Sequence, residues 1–301
     1  MSSEKSNAVT AQPTIVAEIG CNHKGDPGIA LDLIKSAVDF ASVDYVKFQK
    51  RNNRELLTPE EYAAPHPNPD NSYGASYGAH REFLEFDVDE HRRLLEFCKD
   101  VGVGYSCSVW DLTSAREIAS LSPDYIKIPS ACNLNGPLLD ILAADYSGDI
   151  HVSFGMTTPA EEEWILERLA RHGALSRTVI YACTSGYPVP QKDVCLLEIP
   201  RLINAYGDSV KAVGFSGHHL GIALDIAAQT LGASWIERHF TLDRTWKGTD
   251  HAASLEPDGL RRLVRDTRSV ALALQHKTEP LLDIEQPQRA KLKRPANIVS
   301  D

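Results

Sequence analysis

Two lysines and a set of serines end short apolar runs along this chain. Lys47 and Lys127 each end such a run, and two ammonium groups in one cavity repel each other unless an anion lies between them. The hydroxyl groups that end other runs belong to Ser108, Ser130, Ser153 and Ser216. Two cations with several hydroxyl donors are typical of a phosphate site. The alternative is a structural network in which each lysine pairs with Glu18 or Glu237, and both arrangements can exist in the same protein.

Two histidines end the last two apolar runs. Neutral imidazoles on neighbouring strand ends can bind one metal ion, which makes His218 and His239 candidate ligands. With Glu237 and Asp250 nearby, the pair indicates an open site completed by water and substrate, which suits Mn²⁺ better than a closed zinc site. The alternative is two ordinary hydrogen-bonded histidines. His219 is predicted to be a loop residue beside the ligands. A surface or loop position is predicted for His66, His80, His91, His172 and His276.

Apolar runs of about five residues alternate with segments of helical periodicity. The runs lie at 14–18, 45–49, 104–108, 125–129, 151–154, 179–184, 212–216 and 235–240. Runs that are apolar throughout suit parallel strands with both faces buried, so we expect eight βα units. Polar side chains at the ends of such strands indicate a function, because buried polar groups cost free energy unless they are paired.

These units predict α/β architecture, a single-domain (β/α)8 TIM barrel over residues 14–278. In such a barrel all strand ends meet on one face, where active sites lie. The alternative is a doubly wound sheet, which usually has a glycine-rich loop after its first strand, whereas Cys-Asn-His-Lys-Gly stands at 21–25 here. Residues 1–13 are predicted to be a flexible N-terminus and residues 279–301 a C-terminal tail. The connection at 50–87 is long, and its aromatic residues favour an ordered lid.

The chain is acidic, with 301 residues, 43% hydrophobic residues and a formal net charge of −10. This length allows a sizeable core, and the charge argues against nucleic acid or an anionic membrane as the main partner. No apolar stretch approaches the ~20 residues of a membrane span, and the N-terminus lacks the apolar core of a signal peptide. The six cysteines form no Cys-x-x-Cys pair, which is typical of reduced thiols. Together these features predict a cytoplasmic location.

The segments around these residues resemble the sialic acid synthase family, which includes N-acetylneuraminate synthase and the synthases for legionaminic, pseudaminic and spore-coat sugars. The first segment is Ala-Glu-Ile-Gly-Cys-Asn-His at 17–23. The others follow in order at 46–49, 125–130, 153–156, 183–188, 214–218, 237–243, 248–251 and 254–257. A collinear set of this kind is far more specific than one short motif. The resemblance implies a (β/α)8 barrel that joins phosphoenolpyruvate to an open-chain aldehyde of the N-acetylmannosamine type.

The resemblance also implies roles for individual residues. Contacts to phosphoenolpyruvate fall on Lys47, Ser108, Lys127, Ser130, Ser153, Ser185 and Ser216. Contacts to the sugar fall on Glu18, Gln49, Tyr187, Glu237 and Asp250. The metal ligands fall on His218 and His239, the pair that the residues alone indicate. The predicted catalytic groups are Glu18, Glu237, Lys47 and Lys127.

The predicted enzyme is a metal-dependent transferase that yields a 2-keto-3-deoxy sugar acid and phosphate. Mn²⁺ is the expected cofactor, with Mg²⁺ or Co²⁺ as alternatives. The expected partners are phosphoenolpyruvate, a sugar aldehyde and a second copy of the chain in a homodimer, with no nucleic acid and no membrane. Two other functions stay open. One is a Schiff-base pyruvate aldolase that uses Lys47 or Lys127, and the other is a non-catalytic sugar-phosphate binding or assembly subunit.

Three departures from the family pattern bear on the site. Ser185 stands where the family often has Asn, and Gly217 stands where Asp often precedes the first metal histidine. Family members usually carry a C-terminal antifreeze-like domain that helps hold the acyl group of the sugar, whereas this chain is expected to comprise the barrel alone. This last departure leaves the acceptor aldose open, and the connection at 50–87 is a candidate replacement for the missing lid.

Overall fold

Eight parallel strands close into a barrel in the computed structural model, which describes residues 12–294. The strands are β1 (Thr14–Gly20), β2 (Tyr45–Lys50), β3 (Gly104–Val109), β4 (Tyr125–Ile128), β5 (Asp149–Ser153), β6 (Thr178–Cys183), β7 (Ala212–Gly217) and β8 (Trp235–His239). Each strand pairs with its neighbours in chain order, and β8 pairs with β1 to complete the ring. The predicted (β/α)8 TIM barrel is confirmed, and each strand boundary lies within two residues of its predicted position.

Helices connect the strands and begin and end at recognisable signals. They are α1 (Pro27–Lys35), α2 (Asn53–Leu56), α3 (Pro59–Ala63), α4 (Tyr77–Leu84), α5 (Val88–Val101), α6 (Leu112–Ser120), α7 (Gly136–Asp145), α8 (Pro159–Arg171), α9 (Glu198–Tyr206), α10 (Ala223–Thr230), α11 (Pro257–Ala273) and α12 (Gln286–Leu292). Thr158 and Glu161 form a capping box at the start of α8, where proline occupies the first turn. Gly102, with a φ of 75°, ends α5 in the left-handed conformation that glycine adopts without strain.

Aromatic rings fill the barrel interior below the polar strand ends. His151 of β5 stacks on Tyr125 of β4 with ring centroids 3.8 Å apart, and it meets Trp235 of β8 edge-on at 4.6 Å. Nδ1 of His151 is hydrogen-bonded to the hydroxyl of Tyr181 at 2.9 Å. Burial lowers the pKa of His151 well below its ordinary value, so the imidazole is neutral. At this level the barrel is a packed core, and the polar strand ends lie above it.

The connection after β2 contains three short helices, α2, α3 and α4. Between α3 and α4, the hydroxyl of Tyr73 donates a hydrogen bond of 2.5 Å to the carbonyl of Lys247 in the loop after β8. The ring of Tyr73 stacks on Phe83 with centroids 5.0 Å apart. The segment at 50–87 is therefore built of helices and touches a second loop at the mouth of the barrel, and its role as a lid stays a prediction.

Outside the barrel strands, the sequence makes predictions about the two ends of the chain and about several histidines. Residues 1–11 and 295–301 lie outside the described residues, so the flexible N-terminus and the end of the tail stay predictions, while α12 forms part of the region predicted as a tail. The surface or loop position predicted for His80 and His91 is wrong, because these residues lie in α4 and α5 with 2% and 0% exposure. Across residues 12–294, no helix combines the length and the apolar character needed to cross a membrane.

Candidate active site

A cavity with a volume of about 320 Å³ opens at the mouth of the barrel. Thirteen predicted site residues line it, namely Glu18, Lys47, Gln49, Ser108, Lys127, Ser130, Ser153, Ser185, Tyr187, Ser216, His218, Glu237 and His239. They come from the C-terminal ends of seven strands and from the loops that follow β4, β6 and β7. The remaining predicted residue, Asp250, does not line this cavity. The structure thus brings the lysines, serines and histidines of the sequence prediction into one place.

The register of the strands explains why these side chains meet. Glu18 of β1 lies opposite Lys47 of β2 on one side and opposite His239 of β8 on the other. Ser216 of β7 lies opposite Glu237 of β8. Side chains alternate between the two faces of a strand, so residues at matched positions point towards the barrel axis together.

Lys47 and Lys127 are both paired with glutamates. Lys47 forms an ion pair with Glu18, donates to Oγ of Ser108 at 2.6 Å, and lies 3.7 Å from one carboxylate oxygen of Glu237. Lys127 donates to the other oxygen of Glu237 at 2.9 Å. None of these four charged residues is more than 6% exposed. Two positive and two negative charges therefore form one buried network, as the structural alternative predicts, and this network borders the cavity.

Burial and pairing shift the pKa values of the network in opposite directions. Burial raises the pKa of Glu18 above its ordinary value, although Lys47 opposes the shift. Burial acts on Glu237 in the same direction, but Lys127 and Lys47 outweigh it and hold the pKa of Glu237 below its ordinary range. Burial lowers the pKa of Lys127, whereas pairing with Glu18 and Glu237 outweighs burial and raises the pKa of Lys47. Lys47 therefore holds its proton more strongly than Lys127 does.

His218 and His239 face each other at the mouth, with ring centroids 5.4 Å apart. Nδ1 of His218 lies 3.2 Å from the carbonyl oxygen of Thr184. A carbonyl can only accept, so this contact places the proton on Nδ1 and leaves Nε2 free to bind a ligand. Burial, reinforced by His239, lowers the pKa of His218 to about 3. The imidazole is therefore neutral near pH 7, which is the form that binds metal ions.

The two imidazoles suit a divalent cation with an open coordination sphere. Nδ1 of His239 is buried without a hydrogen-bond partner in the described part of the chain, and such an atom costs free energy that a ligand would recover. Within residues 12–294, no three His, Cys, Asp or Glu side chains converge as a self-sufficient metal site would require. The residues fit a cation that takes two protein nitrogens and completes its sphere with water or substrate, and they do not fit a closed zinc site.

Gln49 and Asp250, both predicted to contact the sugar, are placed differently. The side-chain oxygen of Gln49 accepts a hydrogen bond from Arg51 at 2.6 Å, and its amide nitrogen donates to Glu18 at 3.0 Å. Asp250 lines a smaller neighbouring pocket that also includes Cys21. Burial favours a higher pKa for Asp250, but the electrostatic effects of His239 and Arg51 outweigh burial and lower the pKa of this carboxyl. Asp250 therefore stands beside the main cavity, and its contact with the sugar stays a prediction.

Sequence reasoning does not single out five further residues that line the cavity. They are Trp110, Pro129, Ala131, Met156 and Cys183. The ring of Trp110 packs against the guanidinium of Arg51, which lies 3.8 Å from the ring centroid. Met156 adopts a φ of 54° and is 69% exposed. Each of the five lies within three residues of the end of a strand, so distance from a predicted strand end is the signal that would have found them.

Comparisons with known proteins identify the relatives of this chain. The sequence pattern of the NeuB family matches residues 33–279. The chain is 36% identical to N-acetylneuraminate-9-phosphate synthase of Homo sapiens over 284 residues, which cover 92% of this chain and 76% of that protein. It is 34% identical to N,N'-diacetyllegionaminic acid synthase of Campylobacter jejuni over 261 residues, which cover 86% of this chain and 77% of that protein.

A solved structure supports the same assignment. The crystal structure of N-acetylneuraminic acid (sialic acid) synthetase from Leptospira borgpetersenii, in complex with citrate, matches with a TM-score of 0.78 and 28% sequence identity. The match covers 94% of this chain and 93% of that one. Because the family pattern spans most of the barrel and the human relative shares more than a third of its residues over that length, the chain belongs to the NeuB family of sialic acid synthases.

Proposed function

We propose that this protein is a transferase that condenses phosphoenolpyruvate with a sugar aldehyde to give a 2-keto-3-deoxy sugar acid and phosphate. The observation that carries the proposal is that Lys47, Lys127, His218 and His239 line one cavity together with several serine hydroxyls. Relatives named as synthases of N-acetylneuraminate 9-phosphate and of N,N'-diacetyllegionaminic acid support this class of reaction. We further propose a homodimer, a state that light scattering on the purified chain would test.

The lysine side of the cavity suits phosphoenolpyruvate, which carries a phosphate and a carboxylate. An ammonium group has three donor protons, and Lys127 directs one of them to Glu237. A bound anion can therefore accept hydrogen bonds from both lysines while they stay paired with the glutamates. The anion site does not need an unpaired cation. The hydroxyls proposed to complete the anion site are those of Ser108, Ser130, Ser153, Ser185 and Ser216.

The histidine side suits the acceptor. His218 and His239 would hold the proposed divalent cation, with Mn²⁺ as the first choice and Mg²⁺ or Co²⁺ as alternatives. Such a cation supplies Lewis-acid polarisation of the aldehyde carbonyl when it is bound. The ring of Tyr187 packs against His218 with centroids 4.5 Å apart, which supports the proposed contact of Tyr187 with the sugar. We propose that Glu18, Gln49 and Asp250 contact the sugar hydroxyls.

The proposed reaction forms one carbon–carbon bond and breaks one bond to phosphate. The methylene carbon of phosphoenolpyruvate attacks the aldehyde carbon, and the aldehyde oxygen gains a proton to become a hydroxyl. Water adds to the cationic central carbon of the former enol and releases one proton, which balances the proton taken up by the aldehyde oxygen. The tetrahedral intermediate then expels phosphate to leave the ketone. Glu237 would position this water, while Lys47 and Lys127 stabilise the negative charge on the leaving phosphate.

The test is a phosphate-release assay on the full chain with phosphoenolpyruvate, Mn²⁺ and a panel of aldoses that includes N-acetylmannosamine and its 6-phosphate. We expect release that requires an aldose and stops when EDTA removes the metal. The product should have the mass of the aldose plus one pyruvic acid. Absence of phosphate release with every aldose and every divalent cation would refute the proposal.

A Schiff-base aldolase is a second candidate because burial lowers the pKa of Lys127, and a neutral amine is the nucleophile in that chemistry. Such an enzyme would use pyruvate, and borohydride would trap a covalent adduct on the lysine. Metal-dependent activity that borohydride leaves intact decides for the synthase.

Replacement of His239 by alanine separates the synthase from a non-catalytic binding subunit, since the synthase loses turnover while a binder retains its ligand.

A further inference from the structure

Arg238 is buried between two residues of the candidate site. Its neighbours in β8, Glu237 and His239, direct their side chains into the cavity. Side chains alternate along a strand, so Arg238 points to the outer face of the barrel, where it is 1% exposed. A guanidinium taken out of water costs free energy unless its donors are paired, so its partners show what it holds in place.

The partners of this guanidinium belong to the segment that follows β7. One terminal nitrogen of Arg238 forms an ion pair with Asp225, donates to the carbonyl of Gly221 at 2.9 Å, and lies 3.1 Å from Nε2 of His219. The other terminal nitrogen donates to the carbonyl of His219 at 2.5 Å. Asp225 and His219 are both 0% exposed. One arginine of β8 therefore fastens the loop after β7 at His219 and Gly221 and the first turn of α10 at Asp225.

This arrangement connects the two candidate metal ligands from outside the cavity. His219 directly follows His218, and Arg238 directly precedes His239. The ring of His219 also fills the space beside Gly217, where an added Cβ would lie 3.0 Å from the imidazole. The residue after His218 is therefore held by Arg238, and its ring lies beside the residue before His218.

We infer that Arg238, with Asp225 and His219, is a positioning group that sets the spacing of His218 and His239 for a divalent cation. The inference rests on the proposed function, because it takes these two imidazoles as the cation site. Lysine in place of Arg238 would keep the charge but lose the planar fork that reaches a carbonyl and a carboxylate together. Groups that orient metal ligands in this way change metal affinity by about 10- to 100-fold when they are replaced.

The experiment measures Mn²⁺ affinity of the full chain from the electron paramagnetic resonance signal of the free ion. Arg177→Lys is the matched control for Arg238→Lys. Arg177 also donates to backbone carbonyls, those of Leu142, Ala143 and Gly148, but it does so at the opposite end of the barrel. We expect Arg238→Lys to weaken Mn²⁺ binding about 10- to 100-fold and Arg177→Lys to bind as the wild type does, even where both lower Tm.

Each outcome decides the matter. Equal Mn²⁺ affinity in the wild type and in Arg238→Lys overturns the inference and leaves the proposed function intact. If Arg238→Lys does not fold, Asp225→Asn replaces it with the same expectation, because it keeps the shape of the side chain and removes the charge that pairs with Arg238. If the wild type binds no Mn²⁺, or if His218→Ala binds it equally well, the proposed metal site and the inference fail together.

Discussion

At the scale of single residues, the candidate site contains charged side chains whose burial costs free energy. Glu18, Lys47, Lys127 and Glu237 are buried charges, and apolar residues of similar size often give equal or greater stability in such positions. Stability therefore explains the network poorly. Its position on the wall of a cavity explains it better, because paired charges in a dry pocket are preorganised to act on an ionic substrate.

Replacement of Lys127 by methionine tests the anion site. The change removes an ammonium beside Glu237 and keeps a side chain of similar length, so kcat/KM for phosphoenolpyruvate should fall about 10²- to 10³-fold, as it does when one preorganised donor is removed. Initial rates of phosphate release measure the loss. Lys211→Met is the control, because Lys211 pairs with Asp149 at the opposite end of the barrel and the variant should keep wild-type rates. Wild-type kinetics in Lys127→Met would contradict the assigned role.

Replacement of Gln49 by alanine tests the side of the cavity where the sugar aldehyde is proposed to bind. One amide proton of Gln49 is donated to Glu18, and an amide nitrogen carries two, so the second remains for a sugar hydroxyl. Gln49→Ala should raise KM for the aldehyde about tenfold, equivalent to about 1.4 kcal/mol, and leave KM for phosphoenolpyruvate unchanged. Initial rates with each substrate varied in turn give both constants. A rise in KM for phosphoenolpyruvate alone would contradict this role and indicate that Gln49 contacts phosphoenolpyruvate instead of the sugar.

At the scale of elements, two loops from distant parts of the chain meet beside the mouth. The loop after β8 is held by the hydroxyl of Tyr73, and the end of the 50–87 segment is held by Glu85, which accepts a hydrogen bond from the backbone of Arg51 at 2.8 Å. Arg51 in turn contacts Gln49. The helices α2 to α4 are thus linked to a cavity residue through a short chain of contacts, which is the arrangement expected of a segment that shapes the acceptor side.

Tyr73→Phe tests whether this contact between loops matters. The variant keeps the ring that stacks on Phe83 and removes only the hydrogen bond to Lys247, which is worth about 1 kcal/mol. We expect KM for the aldehyde to rise about fivefold and limited proteolysis within residues 50–87 to accelerate. Tyr62→Phe is the matched control, since its hydroxyl contacts Glu82 within the same segment. Identical kinetics in Tyr73→Phe and the wild type would exclude this role.

At the scale of the whole molecule, the barrel and most of the site follow from local sequence patterns. Polar residues such as Lys127 stand out because they end runs that are otherwise apolar, and barrel closure then brings residues as distant as Glu18 and His239 into register. Local patterns carry no information on partners from other elements. His91 is buried with its Nδ1 hydrogen-bonded to the hydroxyl of Tyr105 at 2.7 Å, and Arg238 is buried where the loop after β7 supplies partners.

Buried neutral histidines predict that the protein loses stability in mild acid. Burial holds the pKa of His151 well below the ordinary 6.5 and lowers that of His23 to about 3, so below pH 6.5 the unfolded chain binds protons that the folded chain does not. The free energy of unfolding should therefore fall by about 2 kcal/mol per such histidine between pH 7 and pH 5, as measured by urea denaturation. His151→Phe keeps a ring that packs against Tyr125, and it should make the decline about 2 kcal/mol smaller because one buried histidine is gone. His276→Gln changes an exposed position and should leave the decline as it is in the wild type. The same decline in the wild type and in His151→Phe would show that His151 takes up its proton in the folded protein.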